Sequence, residues 1–237
     1  MPQWQTTHFL LDLKRPLIMG IVNNTPDSFS DGGKYQGQRA LQHAEQLIKD
    51  GADILDIGGE STRPGSPAVP LEEELARVLP VVQEAVRLGV AVSVDTYKPQ
   101  VMQAVLDLGA DIINDVWGLR QPGAQDVVAA HHSCGVCLMH MHQTPQNMHL
   151  QHMQGDAVPQ VCDFLLRETQ ALLDRGVARN RIVWDYGIGF GKSVPQNFAL
   201  LARQAELLDL DFPLLAGWSR KGSLGKVSGL PVQQRMV

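Results

Sequence analysis

Seven short apolar runs each end in a side chain that can accept or donate hydrogen bonds: Asn23, Asp56, Asp95, Asn114, His140, Asp185 and Ser219. Lys221 follows the last of them. Carboxylates, an amide and an ammonium converging on one mouth can read the donor and acceptor edge of a flat heterocycle. Asp95, Asn114 and Asp185 suit an aminopyrimidinone, because a carboxylate accepts from a ring N–H and from an exocyclic NH₂. Taken singly, an Asp after a strand is often just a helix N-cap. Its recurrence at strand after strand is what points to a ligand.

Two loops carry charge for an anion. "GGESTRPGSP" (58–67) offers Ser61, Thr62 and Arg63 between glycines and prolines that stiffen it, a natural grip for phosphate or carboxylate. "WSRKGS" (218–223) places Ser219, Arg220 and Lys221 just before a predicted helix, a second anion-friendly position. A third loop, "NNTPDSFSDGG" (23–33), is polar except for Phe29 and far exceeds what a turn needs. In "DYGIGFGKS" (185–193) the first glycine of a phosphate-binding loop would have to be Tyr186, and the third of a dinucleotide fingerprint would fall on Lys192. Neither motif is present, and the glycines are expected to form a tight floor that a ligand can approach.

These residues need a scaffold that brings strand ends together. The runs 16–22, 53–59, 90–96, 111–116, 135–141, 181–187 and 212–219 are apolar without alternation, as strands buried on both faces are. Helix-period segments separate them and close on turns such as "KDG" and "RLG". Alternating βα units predict a parallel sheet with right-handed crossovers. Polar residues at every strand end, rather than at one switch point, favour a (β/α)₈ TIM barrel. The chain reads as a single domain over residues 1–237, C-terminally incomplete, with the eighth βα unit apparently missing.

The bulk properties exclude some partners. The 237 residues are 44% hydrophobic and 19% charged, with a formal net charge of -5. An acidic chain with mean hydropathy near zero is expected to bind neither nucleic acid nor a membrane, and to be cytoplasmic. Cys134, Cys137 and Cys162 are too few for a disulfide framework. The C-x-x-C of Cys134 and Cys137 runs into a buried strand and reads as core packing, although His140, His142, His149 and His152 lie near it in sequence.

"MGIVNNTPDSFSDGG", "DIGGESTRPG", "VSVDTYKP", "IINDV", "CLMHM", "DYGIGFGK" and "GWSRKGSLG", in this order between about residues 8 and 230, resemble the bacterial dihydropteroate synthase family. The resemblance implies a TIM-barrel transferase of folate biosynthesis. It would join 6-hydroxymethyl-7,8-dihydropterin diphosphate to p-aminobenzoate and release diphosphate through an SN1-like pterin cation. Mg²⁺ is implied as cofactor with Asn23 as metal residue, together with sulfonamide sensitivity and a homodimer of the complete protein. The pterin pocket would be Asp95, Asn114, Asp185, Lys221, Met139 and Gly217. Thr62, Arg63, Pro64, Phe190 and Ser219 would hold p-aminobenzoate and diphosphate, and Asp95, Arg63 and Lys221 would be catalytic.

The chain departs from the family pattern at Tyr186, where proline is usual, at Asn24, where valine is, and at Tyr97, where a small residue is. "HMHQTP" replaces a Gln-Gly version. An Arg-x-His pair that the resemblance implies at the end of an eighth strand is not in this sequence. The alternative reading is therefore a catalytically silent pterin-binding protein or fragment.

Overall fold

The computed structural model describes residues 3–25, 36–62 and 65–235. Seven strands form one curled parallel sheet in sequence order: β3 (Met19–Asn23), β4 (Ile54–Gly58), β5 (Ala91–Asp95), β6 (Ile112–Asp115), β7 (Gly135–Met139), β8 (Ile182–Asp185) and β9 (Leu214–Leu215). Helices α1 (Gln36–Lys49), α2 (Leu71–Ala85), α3 (Pro99–Asp107), α4 (Ala124–Ala130), α5 (Ala157–Asp174), α6 (Val194–Ala202), α7 (Gln204–Leu208) and α8 (Gly222–Ser228) follow the strands. This is the TIM-barrel-like architecture expected, with seven strands in the parallel sheet among the described residues.

The helices start and stop where side-chain chemistry permits. Asp156 caps α5 by accepting from the Val158 N–H at 3.1 Å. Ser193 and Gln196 form a reciprocal capping box on α6. Three glutamates, Glu72, Glu73 and Glu74, occupy the first turn of α2, where the helix dipole favours negative charge. After α1 the chain turns through Gly51 at φ +102°, a conformation that disfavours any side chain.

Alternate residues of each strand serve different layers. Leu55, Ile57, Val92, Val94, Ile113, Val136, Leu138, Ile182 and Trp184 point outward into the core shared with the helices. Trp184 stacks on Phe212, with ring centroids 4.3 Å apart, and its indole N–H bonds the Thr169 hydroxyl. Ile54, Ala91, Ile112, Cys137 and Val183 point inward and form a second cluster around Trp4.

Trp4 belongs to an element absent from the sequence-based reading. β1 (Gln3–Gln5) and β2 (Leu10–Asp12) pair antiparallel as a small hairpin beneath the N-terminal end of the sheet. The Trp4 indole N–H donates to the Arg181 carbonyl at 2.8 Å. Asp111 holds the hairpin loop, accepting from the His8 N–H at 2.9 Å and the Thr6 hydroxyl at 3.3 Å. Strands this short, with exposed Leu10, carry too little pattern to register as a sheet.

Candidate active site

The parallel register sets Asn23 beside Gly58, Gly58 beside Asp95, and Asp95 beside Asn114. Met139 stands beside Asp185 on the next two strands. These residues share the inward parity of the Trp4 cluster but lie at the opposite, C-terminal end. Four of the expected pterin residues, Asp95, Asn114, Met139 and Asp185, are thus brought to one mouth by strand pairing alone. Gly58 leaves the wall open between Asn23 and Asp95: a Cβ there would lie 3.6 Å from Asn23 Oδ1 and 3.7 Å from Asp95 Cβ.

The acids are poorly neutralised. Asp95 Oδ1 is buried with no hydrogen-bond partner. Burial, reinforced by Asp56 and other nearby carboxylates, raises the Asp95 carboxyl well above its ordinary range. Burial also raises Asp185, although the Gly187 N–H and Lys221 pull it back. The Gly187 N–H reaches Asp185 Oδ1 at 2.7 Å. Lys221 comes from the β9–α8 loop and lays its ammonium 4.2 Å over the Phe190 ring. Its own burial lowers its pKa, against the pull of Asp185 and Asp95. The pocket is therefore rich in acceptors and matched to a ligand that presents several N–H donors.

Asp56 is part of this arrangement, although the sequence placed it only among the strand ends. It sits in the middle of β4, accepting from Ser93 Oγ at 2.6 Å and from Asn114 Nδ2 at 3.1 Å. Holding the Asn114 NH₂ turns the amide oxygen away as the free acceptor. The signal available in sequence was the alternation Asp56, Gly58, which gives Asp56 the inward parity.

His140 is a correction. It follows Met139 with the opposite parity, so its ring packs edge-on against Phe164 of α5, at 5.0 Å between centroids. Burial drives its pKa down to about 2, and Nδ1 has no partner, so it is a neutral core residue outside the mouth. Of the tight glycines of 185–193, Gly189 lies beside Lys221, where a Cβ would come 3.4 Å from its Cδ, whereas Gly187 differs from expectation. A Cβ on Gly187 (φ +67°) would come within 1.9 Å of the His140 carbonyl oxygen, so this glycine serves backbone packing between two loops. Lys192 donates to the carbonyls of His140, Gly187 and Phe190 at 3.2, 2.8 and 3.4 Å. It is a structural clamp, and its burial lowers its pKa to about 7.

Of the remaining expected residues, Thr62 is half-buried, Ser219 is exposed, Gly217 is half-buried on the last loop, and Phe190 is buried under Lys221. Arg63 and Pro64, and most of the polar loop after Thr25, lie outside the described residues. Asn23 is exposed at the end of β3 and offers one hard oxygen. No cluster of three or more His, Cys, Asp or Glu among the described residues could hold a metal on its own. One amide oxygen supplies too few ligands to hold Mg²⁺, which takes octahedral coordination, without further donors. No helix among the described residues is long and apolar enough to cross a membrane.

If the acids are acceptors for ligand N–H groups, they must be ionised. Their pKa values lie above the ordinary 3.8, so protonation competes with the ligand at higher pH than for a free Asp. Affinity for a pterin is expected to weaken from neutral into mildly acidic buffer, with protons released on binding there. Titration calorimetry in buffers of different ionisation enthalpy checks both; an affinity flat across that range would remove the carboxylates from recognition.

The family model for pterin binding enzymes matches residues 19–237. The chain is 47% identical over 232 residues to the dihydropteroate synthase of Neisseria meningitidis serogroup B, covering 95% of this chain and 81% of that one. The Xanthomonas albilineans dihydropteroate synthase solved with 4-aminobenzoic acid is 47% identical, with a TM-score of 0.92 over 99% of this chain and 85% of that one. The Burkholderia cenocepacia dihydropteroate synthase complexed with 7,8-dihydropteroate is 48% identical, with a TM-score of 0.87 over 99% of this chain and 83% of that one.

Proposed function

The chain belongs to the pterin-binding enzymes, and from that premise we propose that it carries out the dihydropteroate synthase reaction. 6-Hydroxymethyl-7,8-dihydropterin diphosphate and p-aminobenzoate are joined to 7,8-dihydropteroate, and diphosphate is released. The observation that carries this reading is the acceptor-rich mouth: the orphaned Asp95 oxygen beside an Asn114 amide whose NH₂ is already held by Asp56.

The pterin ring enters with its N–H groups toward Asp95 and Asp185 and its acceptor edge toward Lys221. Asn114 presents its oxygen to a further ring donor. As the C–O bond to diphosphate breaks, positive charge develops on the pterin methylene carbon. The unpaired carboxylate of Asp95 is preorganised to stabilise that charge, in a site where burial keeps water from screening it. Arg63 meets the departing anion, and Thr62 and Ser219 orient the arylamine. The neutral amine attacks the carbon and loses its proton to solvent or diphosphate. Mg²⁺, when bound with an oxygen from Asn23, would neutralise leaving-group charge.

The test is diphosphate release by the 237-residue chain supplied with dihydropterin diphosphate, Mg²⁺ and p-aminobenzoate. Release that depends on the amine is the expected result. Pterin binding without release would instead establish a silent pterin-binding protein.

A further inference from the structure

We infer that Tyr97 is a positioning residue: its hydroxyl fixes Glu60 and, through it, the chain leading to Thr62, and thereby the affinity for the arylamine. The inference rests on the proposal that Thr62 helps to hold p-aminobenzoate.

Gly58, Gly59 and Glu60, on the way to Thr62, are each pinned by a different element. The Gly58 carbonyl accepts from the Asn24 N–H at 2.8 Å, tying the root to the end of β3. The Gly59 carbonyl accepts from Arg77 Nη1 of α2 at 2.7 Å, and a Cβ on Gly59 would come within 2.6 Å of Val78, so the backbone there is pressed onto the helix. Asn24 Nδ2 in turn donates to the Arg77 carbonyl at 2.7 Å, which joins the roots of two loops through one residue.

Glu60 is the last pin, and it is held at both oxygens. Oε1 accepts from the Tyr97 hydroxyl at 2.9 Å, and Oε2 accepts from the Lys98 ammonium. Lys98 also bonds Glu74 of α2, whose other oxygen takes the Thr96 hydroxyl at 2.6 Å. Lys98 therefore anchors Glu60 to the fold, while Tyr97 decides where the carboxylate, and the chain leaving it, points.

The Tyr97 ring is itself well located for this. It is 9% exposed and belongs to the mouth cluster with Val116, Met139, Met141, Met148 and Phe190. It meets Trp117 edge-on at 6.1 Å, and Trp117 Nε1 donates to the Gln143 carbonyl on the β7–α5 loop. One side chain thus links the root of the anion loop to the wall that carries Met139 and Phe190. Small displacements of a substrate-positioning loop are costly in binding and rate.

Tyr97→Phe keeps the ring contacts and removes the hydroxyl, which deprives Glu60 Oε1 of a hydrogen bond and Gln146 of a polar partner. Expected are a KM for p-aminobenzoate raised on the order of tenfold, an unchanged Kd for the pterin, and a melting temperature lowered by only about 2–4 °C. Hydrogen–deuterium exchange of peptides covering residues 61–67 should rise. Unchanged exchange overturns the inference, and so does a parallel loss of pterin affinity with a fall in melting temperature well beyond that range, which would mark a general packing role. The exchange experiment needs no turnover. A wild-type chain that made no dihydropteroate would thus refute the functional reading, and exchange would still decide the role of Tyr97.

Discussion

Asp185→Ala is expected to weaken pterin binding by about a hundredfold, the worth of a charge-assisted hydrogen bond with its partner left behind. Three consequences act together. The carboxylate that would accept ligand N–H groups disappears, Lys221 loses one of the two charges that favour its protonated form, and the Gly187 N–H loses its acceptor. The last could loosen the loop as well as the pocket, so Asp185→Asn separates the effects: it keeps an oxygen for Gly187 while removing the charge and turning the second acceptor into a donor. Calorimetric titration of both variants with a dihydropterin, alongside thermal melts, should find Asp185→Asn stable and weak-binding. If Asp185→Ala bound pterin like the wild type, the pocket would be assigned wrongly.

Trp4→Ala should have the largest effect on stability. The ring is 3% exposed, it packs under Gly135 and Ile112, and its N–H is spent on the Arg181 carbonyl. Truncating a buried tryptophan costs about 3–5 kcal/mol. At this chain length each kcal/mol moves the melting temperature by about 2–4 °C, so a drop of about 10 °C is expected by calorimetry. Trp4→Phe, which keeps most of the ring, should lose about 1 kcal/mol for the hydrogen bond alone. The site lies at the other end of the sheet, so kinetic constants measured well below the transition should stay near wild type. A Trp4→Ala protein as stable as the parent would mean that the hairpin contributes nothing to the curled sheet.

Much of the architecture was legible because parallel strands buried on both faces advertise themselves as unbroken apolar runs, and a side chain that opens on the mouth at the end of a run is polar. Asp95, Asn114 and Asp185 could be read in that way. Asp56 was harder to read, since it lies in the middle of its strand and acts through Asn114. His140 misled for a related reason: one step past the strand, parity reverses and the ring faces α5. Lys192 sits in a stretch that fits no phosphate motif, and nothing local announces its bonds to three carbonyls. The β1–β2 hairpin left no trace in the pattern, and the Glu60–Lys98–Glu74 network joins three segments that no local periodicity relates.

The hairpin also bears on how this protein comes into being. The Trp4 N–H finds its acceptor 177 positions further along the chain. Residues near the amino terminus therefore wait, exposed, until the strand after Arg181 has emerged and joined the sheet. Contacts of such long range close late and slowly. Their loss should then fall on the unfolding rate and leave the refolding rate almost untouched. In a chevron experiment Trp4→Ala would steepen the fall of kinetic lifetime without delaying assembly, so the hairpin would act as a latch that sets how long the native state survives once formed.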